Sequence, residues 1–135
     1  IWLDIAAALY VMFFSMQPLR FQALLEAIIT TPKGFVFFVT GNAIGAVLAL
    51  IVFSIMVVSL PMVFDRQVDF VTAMITSVKS VLANPKPMLL WCVIIGVLLG
   101  LSLVSMFAGL LVTLPILGHA TWHLYRRVVA PVQAE

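Results

Sequence analysis

The stretch GFVFFVTGNAIGAVLALIVFSIMVVSLPMVF, residues 34–64, decides the fold: 31 residues without a charge separate Lys33 from Asp65. About 20 apolar residues cross a hydrocarbon core roughly 30 Å thick, so this run can span a bilayer with tilt. In lipid the backbone must satisfy its own N–H and C=O groups, which leaves helices and closed barrels. The run does not alternate polar and apolar residues, so the barrel fails and the helix stands. Gly41 and Gly45 lie one turn apart, a spacing that lets another backbone approach closely, and Asn42 between them is placed to hydrogen-bond across helices. Pro61 loosens the last turn before Asp65 and Arg66 reach water.

Toward the C-terminus a second run holds 39 uncharged residues between Lys86 and Arg126. It is too long for one straight crossing. The expected arrangement is a span over about 88–112, with Gly96 and Gly100 as a second small-residue face. Pro115 and Gly118 then permit a bend into an interfacial helix over about 116–128. Trp122 and Tyr125 suit the aromatic belt of that helix, and Arg126 and Arg127 suit its aqueous edge. Two crossings within the run would need a polar turn near its middle, for which Ser102 and Ser105 alone are a poor basis.

Toward the N-terminus the apolar stretch is short. A helix over residues 1–16 would be about 24 Å long at 1.5 Å per residue, just under a full crossing. It begins with Ile, has no basic leading segment and no clear small-residue cleavage site, so it does not read as a signal peptide. The expectation is a truncated span, preceded in a longer polypeptide by another hydrophobic half.

Two connectors are amphipathic. Over 70–83, Phe70, Val71, Met74, Ile75, Val78, Val81 and Leu82 share one face of a helical wheel, and Thr72, Thr76, Ser77, Lys79 and Ser80 the other. Asp69 is the expected N-cap and Asn84-Pro85 the stop. Residues 21–30 repeat the pattern, with Phe21, Leu24, Leu25, Ile28 and Ile29 opposite Gln22, Glu26 and Thr30. Both are too short to span and are expected to lie in the headgroup region. The fold class is therefore all-α: one membrane domain over 1–135, with multi-pass helices and two amphipathic interfacial connectors. A weak duplication runs through it, marked by Pro32-Lys33 with Ser59-Leu60-Pro61 and by Pro85-Lys86 with Thr113-Leu114-Pro115. On this reading one side holds Arg20, Lys33, Arg126 and Arg127, the other Arg66, Lys79 and Lys86, and the C-terminus is placed in the cytoplasm.

The composition agrees. Hydrophobic residues make up 64% of the chain and charged ones 9%, where a soluble domain carries about 25% charged residues. That excludes a water-soluble enzyme, a nucleic-acid binder and a disordered tail. Cys92 is alone, so no disulfide partner is expected. No phosphate-binding, hydrolase or metalloprotease motif is present, and no catalytic residue or cofactor is expected. His119 and His123, at i and i+4, share a helical face as a metal pair would require and are candidates for a metal or haem contact, but a closed zinc site needs four ligands and two histidines one turn apart cannot supply both axial positions of one haem. The alternative is an imidazole pair at the interface beside Trp122. Asp4, the one carboxylate inside an apolar run, is a candidate intramembrane acidic site. Asp65, Arg66 and Asp69 read as a local interfacial charge cluster.

A resemblance follows from particular residues: Ser59-Leu60-Pro61-Met62, Asp65-Arg66, Asp69, Ala73-Met74-Ile75, Ser77, Asn84-Pro85, Met88-Leu89, Trp91 and Leu117-Gly118-His119-Ala120-Thr121-Trp122-His123-Leu124-Tyr125-Arg126. Together they resemble the C-terminal half of an uncharacterised family of predicted bacterial integral membrane proteins, common in alphaproteobacteria. The resemblance runs from about Leu19 onward, with the Gly118–His123 segment its most specific piece. An acidic residue is not expected at the place of Asp4. The resemblance implies an inner-membrane location and supplies no activity.

Three functions are expected in order. The first is a non-catalytic accessory or structural subunit, packing against membrane lipids and other integral subunits of a larger complex, respiratory or photosynthetic. The second is a small-solute or ion transporter or channel, motivated by the duplication and Asp4. The third is a haem or metal-handling protein using His119 and His123.

Overall fold

The computed structural model describes residues 1–129. It is all-α, with helices α1 to α7 and no strand among the described residues. The chain divides into two units, Ile1–Ala49 and Leu50–Glu135.

The first unit holds α1 (Trp2–Phe14), α2 (Phe21–Thr30) and most of α3 (Pro32–Met56). Its first helix is shorter than the expected 1–16. It stops at Ser15, whose φ of 60° is a left-handed conformation that breaks the helix. The following turn is closed by Tyr10, whose hydroxyl donates to the Gln17 carbonyl at 2.6 Å and accepts from the Leu19 N–H at 2.9 Å. Phe14 meets Phe37 edge-on at 5.2 Å between ring centroids, and Trp2 lies against Gly45. With its start at Gly45 and its end at Phe37, α1 runs back along α3.

The connector α2 occupies the expected residues. The elbow into α3 is built by Thr31, which accepts from the Gly34 N–H at 3.0 Å and donates to the Ala27 carbonyl at 2.6 Å. With Pro32 at the first helical position, this is a serine/threonine-type N-cap followed by the residue that least misses its N–H. Gly34 is buried, and a methyl group placed there would overlap the Ala27 carbonyl, which is backbone and cannot swing aside. Gly34→Ala is expected to destabilise this elbow by about 1–3 kcal/mol or more, the range for overpacking a tight contact. Thermal unfolding in mild detergent checks it; an unchanged midpoint would show that the elbow opens freely.

The second unit holds the end of α3, then α4 (Ser59–Asp65), α5 (Phe70–Ala83), α6 (Pro85–Val104) and α7 (Leu110–Val128). The segments Pro32–Asp65 and Pro85–Val104 are each long and apolar enough to cross a membrane. The expected run over 34–64 is not one helix, however. It breaks at Val57-Val58, where the Pro61 ring faces the carbonyl four residues earlier. The break is filled from another helix. The Ser77 hydroxyl of α5 accepts from the Val58 N–H at 3.1 Å and donates to the Ser54 carbonyl at 2.7 Å. Those two groups would bond each other in an unbroken helix, so Ser77 is inserted into the ladder, a recognised cause of helix kinks.

That insertion decides which face of α5 is inward. Its N-cap is Asp69 and its range is 70–83, as read from the sequence. Its buried residues are nevertheless Ala73 and Ser77, both fully covered, while Phe70, Val71, Ile75 and Leu82 are exposed. The small seam lies against the break because it permits close approach and carries the hydroxyl the break needs. Phe70, Val71, Ile75 and Leu82 are left facing outward, where lipid can cover them, while Val81 packs against the core.

The expected span over 88–112 and interfacial helix over 116–128 are also corrected. α6 ends at Val104, a turn follows, and α7 begins at Leu110 and continues through Pro115 to Val128. Met88 and Tyr125 share the core with Val57, Val58, Met62 and Ala73, and Ser102 bonds Thr113 at 2.7 Å. These two pairings bring α7 back along α6 as an antiparallel hairpin, in place of one helix running through 88–112 to a bend. The turn needs little exposed polarity because its hydroxyls point inward: Ser102 and Thr113 are buried.

Candidate functional site

The polar cluster that the fold assembles is centred on Tyr125 of α7. Tyr125 is 1% exposed and is among the largest fully buried side chains. Its hydroxyl donates to Asp65 Oδ2 at 2.7 Å and accepts from Arg66 Nε at 3.1 Å. Asp65 and Arg66 also approach one another at 3.8 Å. A phenol both donates and accepts, so it can sit between a carboxylate and a guanidinium without leaving either short of a partner. Burial pushes the Tyr125 phenol above its ordinary pKa and the bond to Asp65 acts in the same direction, while Arg66 pulls it down. Tyr125 thus remains a neutral bridge between the end of α4 and the end of α7.

Two sequence expectations change here. Tyr125, read as an aromatic-belt anchor, is a core residue; its ring lies 5.6 Å from that of Trp122, which is half-buried. The expected cluster of Asp65, Arg66 and Asp69 separates into two features. Asp69 caps α5, accepting from the Thr72 N–H at 2.9 Å and from the Thr72 hydroxyl at 2.6 Å. Those hydrogen bonds hold the Asp69 carboxyl below its ordinary pKa. The bond from Arg66 to Tyr125 also puts Arg126 and Arg127 at the end of the unit that holds Arg66. The sequence reading had placed them on opposite sides, because it took 88–112 as a single crossing.

His119 and His123 are exposed on the face of α7 that also carries Arg126 and Arg127, both exposed. No group of three or more His, Cys, Asp or Glu able to hold a metal occurs among the described residues. Asp4 has an exposed side chain, 3.0 Å from the Ile1 amine. Asn42 donates to the Phe38 carbonyl of its own helix at 2.8 Å, so that donor does not reach across to another helix.

The helix-packing glycines fall into two groups. Gly45 is covered by Trp2, whose ring would lie 3.1 Å from an added Cβ. Among the described residues, Gly41, Gly96 and Gly100 have nothing within 4 Å of that position. In the first unit Gly41 and Asn42 border an apolar groove together with Trp2, Phe37 and Phe38.

Sequence reasoning missed Ser54, Ser77, Ser102 and Thr113 as the polar residues around which the second unit is organised. One signal was available. Ser59 and Thr113 stand two residues before Pro61 and Pro115, and each donates back to the carbonyl four residues earlier, Ile55 and Gly109, at 2.6 Å. The duplicated Ser/Thr-Leu-Pro mark is therefore a repeated local hydrogen-bond arrangement.

Comparison with curated proteins and with solved structures gives no match. A family match exists, and it lies in the N-terminal part of the chain rather than in a C-terminal half. The Gly118–His123 segment falls outside the matched residues, and Asp4 falls within them. With two segments long and apolar enough to cross a bilayer, the chain is an integral membrane protein of unknown function whose residues 1–65 match the family described as "Predicted integral membrane protein (DUF2189)".

Proposed function

We propose that this chain is a non-catalytic subunit of the bacterial inner membrane that packs its helices against other integral subunits of a larger assembly. The observation that carries the reading is the open state of Gly41, Gly96 and Gly100, whose missing side chains leave space that nothing among the described residues fills. Small residues at such spacing allow two helices to approach closely in lipid, where the gain comes from packing rather than from expulsion of water. Glycine inside a helix costs about 1 kcal/mol relative to alanine, so unfilled glycines on α6 weaken the isolated chain and favour an associated one.

Full-length tagged protein purified in mild detergent is expected to bring a stoichiometric companion identifiable by mass spectrometry. The double variant Gly96→Leu/Gly100→Leu is expected to lose that companion while unfolding no more easily than the parent, since leucine favours a helix interior over glycine. Recovery of the parent as a lone monomer would overturn the proposal. Retention of the companion by the double variant would remove α6 as its contact.

A further inference from the structure

We propose that the α6–α7 hairpin is re-entrant: it enters and leaves the membrane by one face, and its tip, Val104 to Leu111, stays in the hydrocarbon among lipid acyl chains. The base of the hairpin carries the charges. Lys86 begins α6, Arg126 and Arg127 stand near the end of α7, and Arg66 bonds Tyr125 there. Met88 and Tyr125 share one core, which holds the two ends of the hairpin together. Between Lys86 and Arg126 the chain has no charge at all, so nothing marks the tip for water.

The tip itself is built for a medium without hydrogen bonds. Every backbone N–H from Ser105 to Thr113 finds an acceptor inside the hairpin: carbonyls for all but Gly109, which donates to the Ser105 hydroxyl at 3.0 Å. The hydroxyls are occupied as well. Ser105 donates to the Ser102 carbonyl at 2.9 Å, and of the paired Ser102 and Thr113 hydroxyls one donates to the other at 2.7 Å while the second donates to its own helix, to Leu98 from Ser102 or to Gly109 from Thr113. A loop in water has no need of this closure, whereas backbone at membrane depth requires it. Gly109 is necessary to the arrangement, since a Cβ there would lie 2.9 Å from Ser102 Cα.

The side chains agree with the backbone. Met106 and Phe107 have φ of 51° and 67°, left-handed positions that a turn in water fills with Gly or Asn. Both are exposed, as are Val104 and Leu111, at 87%, 62%, 84% and 82% respectively. Length closes the argument. The 20 residues of α6 measure about 30 Å against a hydrocarbon core of about 30 Å, so a tilted α6 ends short of the opposite headgroups and no residues remain to carry a loop beyond them. The apolar first part of α7, Leu110 to Leu117, reaches about 12 Å before the exposed His119.

The test uses the full chain with Cys92→Ser as background. Single cysteines are introduced by Phe107→Cys or Leu111→Cys at the tip and by Arg127→Cys at the base, the second tip site guarding against a local defect at the first. In sealed membranes an impermeant maleimide is expected to label Arg127→Cys from one face. Labelling of either tip site is expected to be lost from both faces and regained in denaturing detergent. After reconstitution into phosphatidylcholine vesicles, a fluorophore on the tip is expected to be quenched more strongly by nitroxides on acyl chains than by nitroxides on headgroups. Labelling from the face opposite Arg127→Cys would show a complete crossing and overturn the proposal. Labelling from the same face would show a hairpin in water, and a tip unlabelled yet quenched by no lipid would show a protein cover; each outcome overturns it equally.

Discussion

Ser77→Ala is expected to lower the stability of the second unit by about 2–5 kcal/mol, because the buried Val58 N–H and the half-buried Ser54 carbonyl lose their partner together and each such loss costs roughly 1–3 kcal/mol. Val58 is fully buried, and its N–H and the Ser54 carbonyl meet only through the Ser77 hydroxyl. Pro61 holds the helix open at that point, so the two groups cannot simply close on one another. Unfolding of the purified protein in mild detergent, followed by far-ultraviolet circular dichroism, measures the effect. Ser80→Ala, three residues along the same helix and half-buried, serves as the control and is expected to change little. Equal stability of Ser77→Ala and the parent would mean that the ladder reforms without the hydroxyl and that the break is not held from α5.

Tyr125→Ala is expected to lose about 3–5 kcal/mol, the range for removing a buried aromatic side chain and leaving its cavity. The side chain is 1% exposed and joins α7 to the core beside Met88 and Met62. Tyr125→Phe separates packing from hydrogen bonding: it keeps the ring and removes only the bridge from Asp65 to Arg66, for a loss of about 1.5–3 kcal/mol. The parent should also carry an alkaline signature. The folded phenol has a raised pKa, so its contribution is fully present below the ordinary value of about 10 and is lost as pH rises through the folded value. Tyr125→Phe should remove that fall. The same alkaline loss in both proteins would assign it to other groups and break the link to this bridge.

Membrane residence and helical class were legible at once, since an uncharged run such as 34–64 has few other physical meanings. The range of α5 was legible too, because Asp69 and Asn84-Pro85 act locally through cap and stop. The candidate site was not. Tyr125 lies about 60 positions from Asp65 and Arg66 in sequence, and no local pattern says that a tyrosine in an apparent aromatic belt will be drawn into a core. The hairpin failed to show for a related reason. Turn rules read from soluble proteins look for exposed polar residues, whereas Ser102, Ser105 and Thr113 serve the backbone from within.

Local chemistry alone established solvent, helix content, the caps and the breaking prolines, because each depends on residues within a turn or two of one another. Only the assembled unit decided which face of α5 is inward, where α6 turns back and what Tyr125 holds. Those choices depend on hydrogen-bond demand created by one helix and met by another, and a demand of that kind has no address in the sequence until the helices meet.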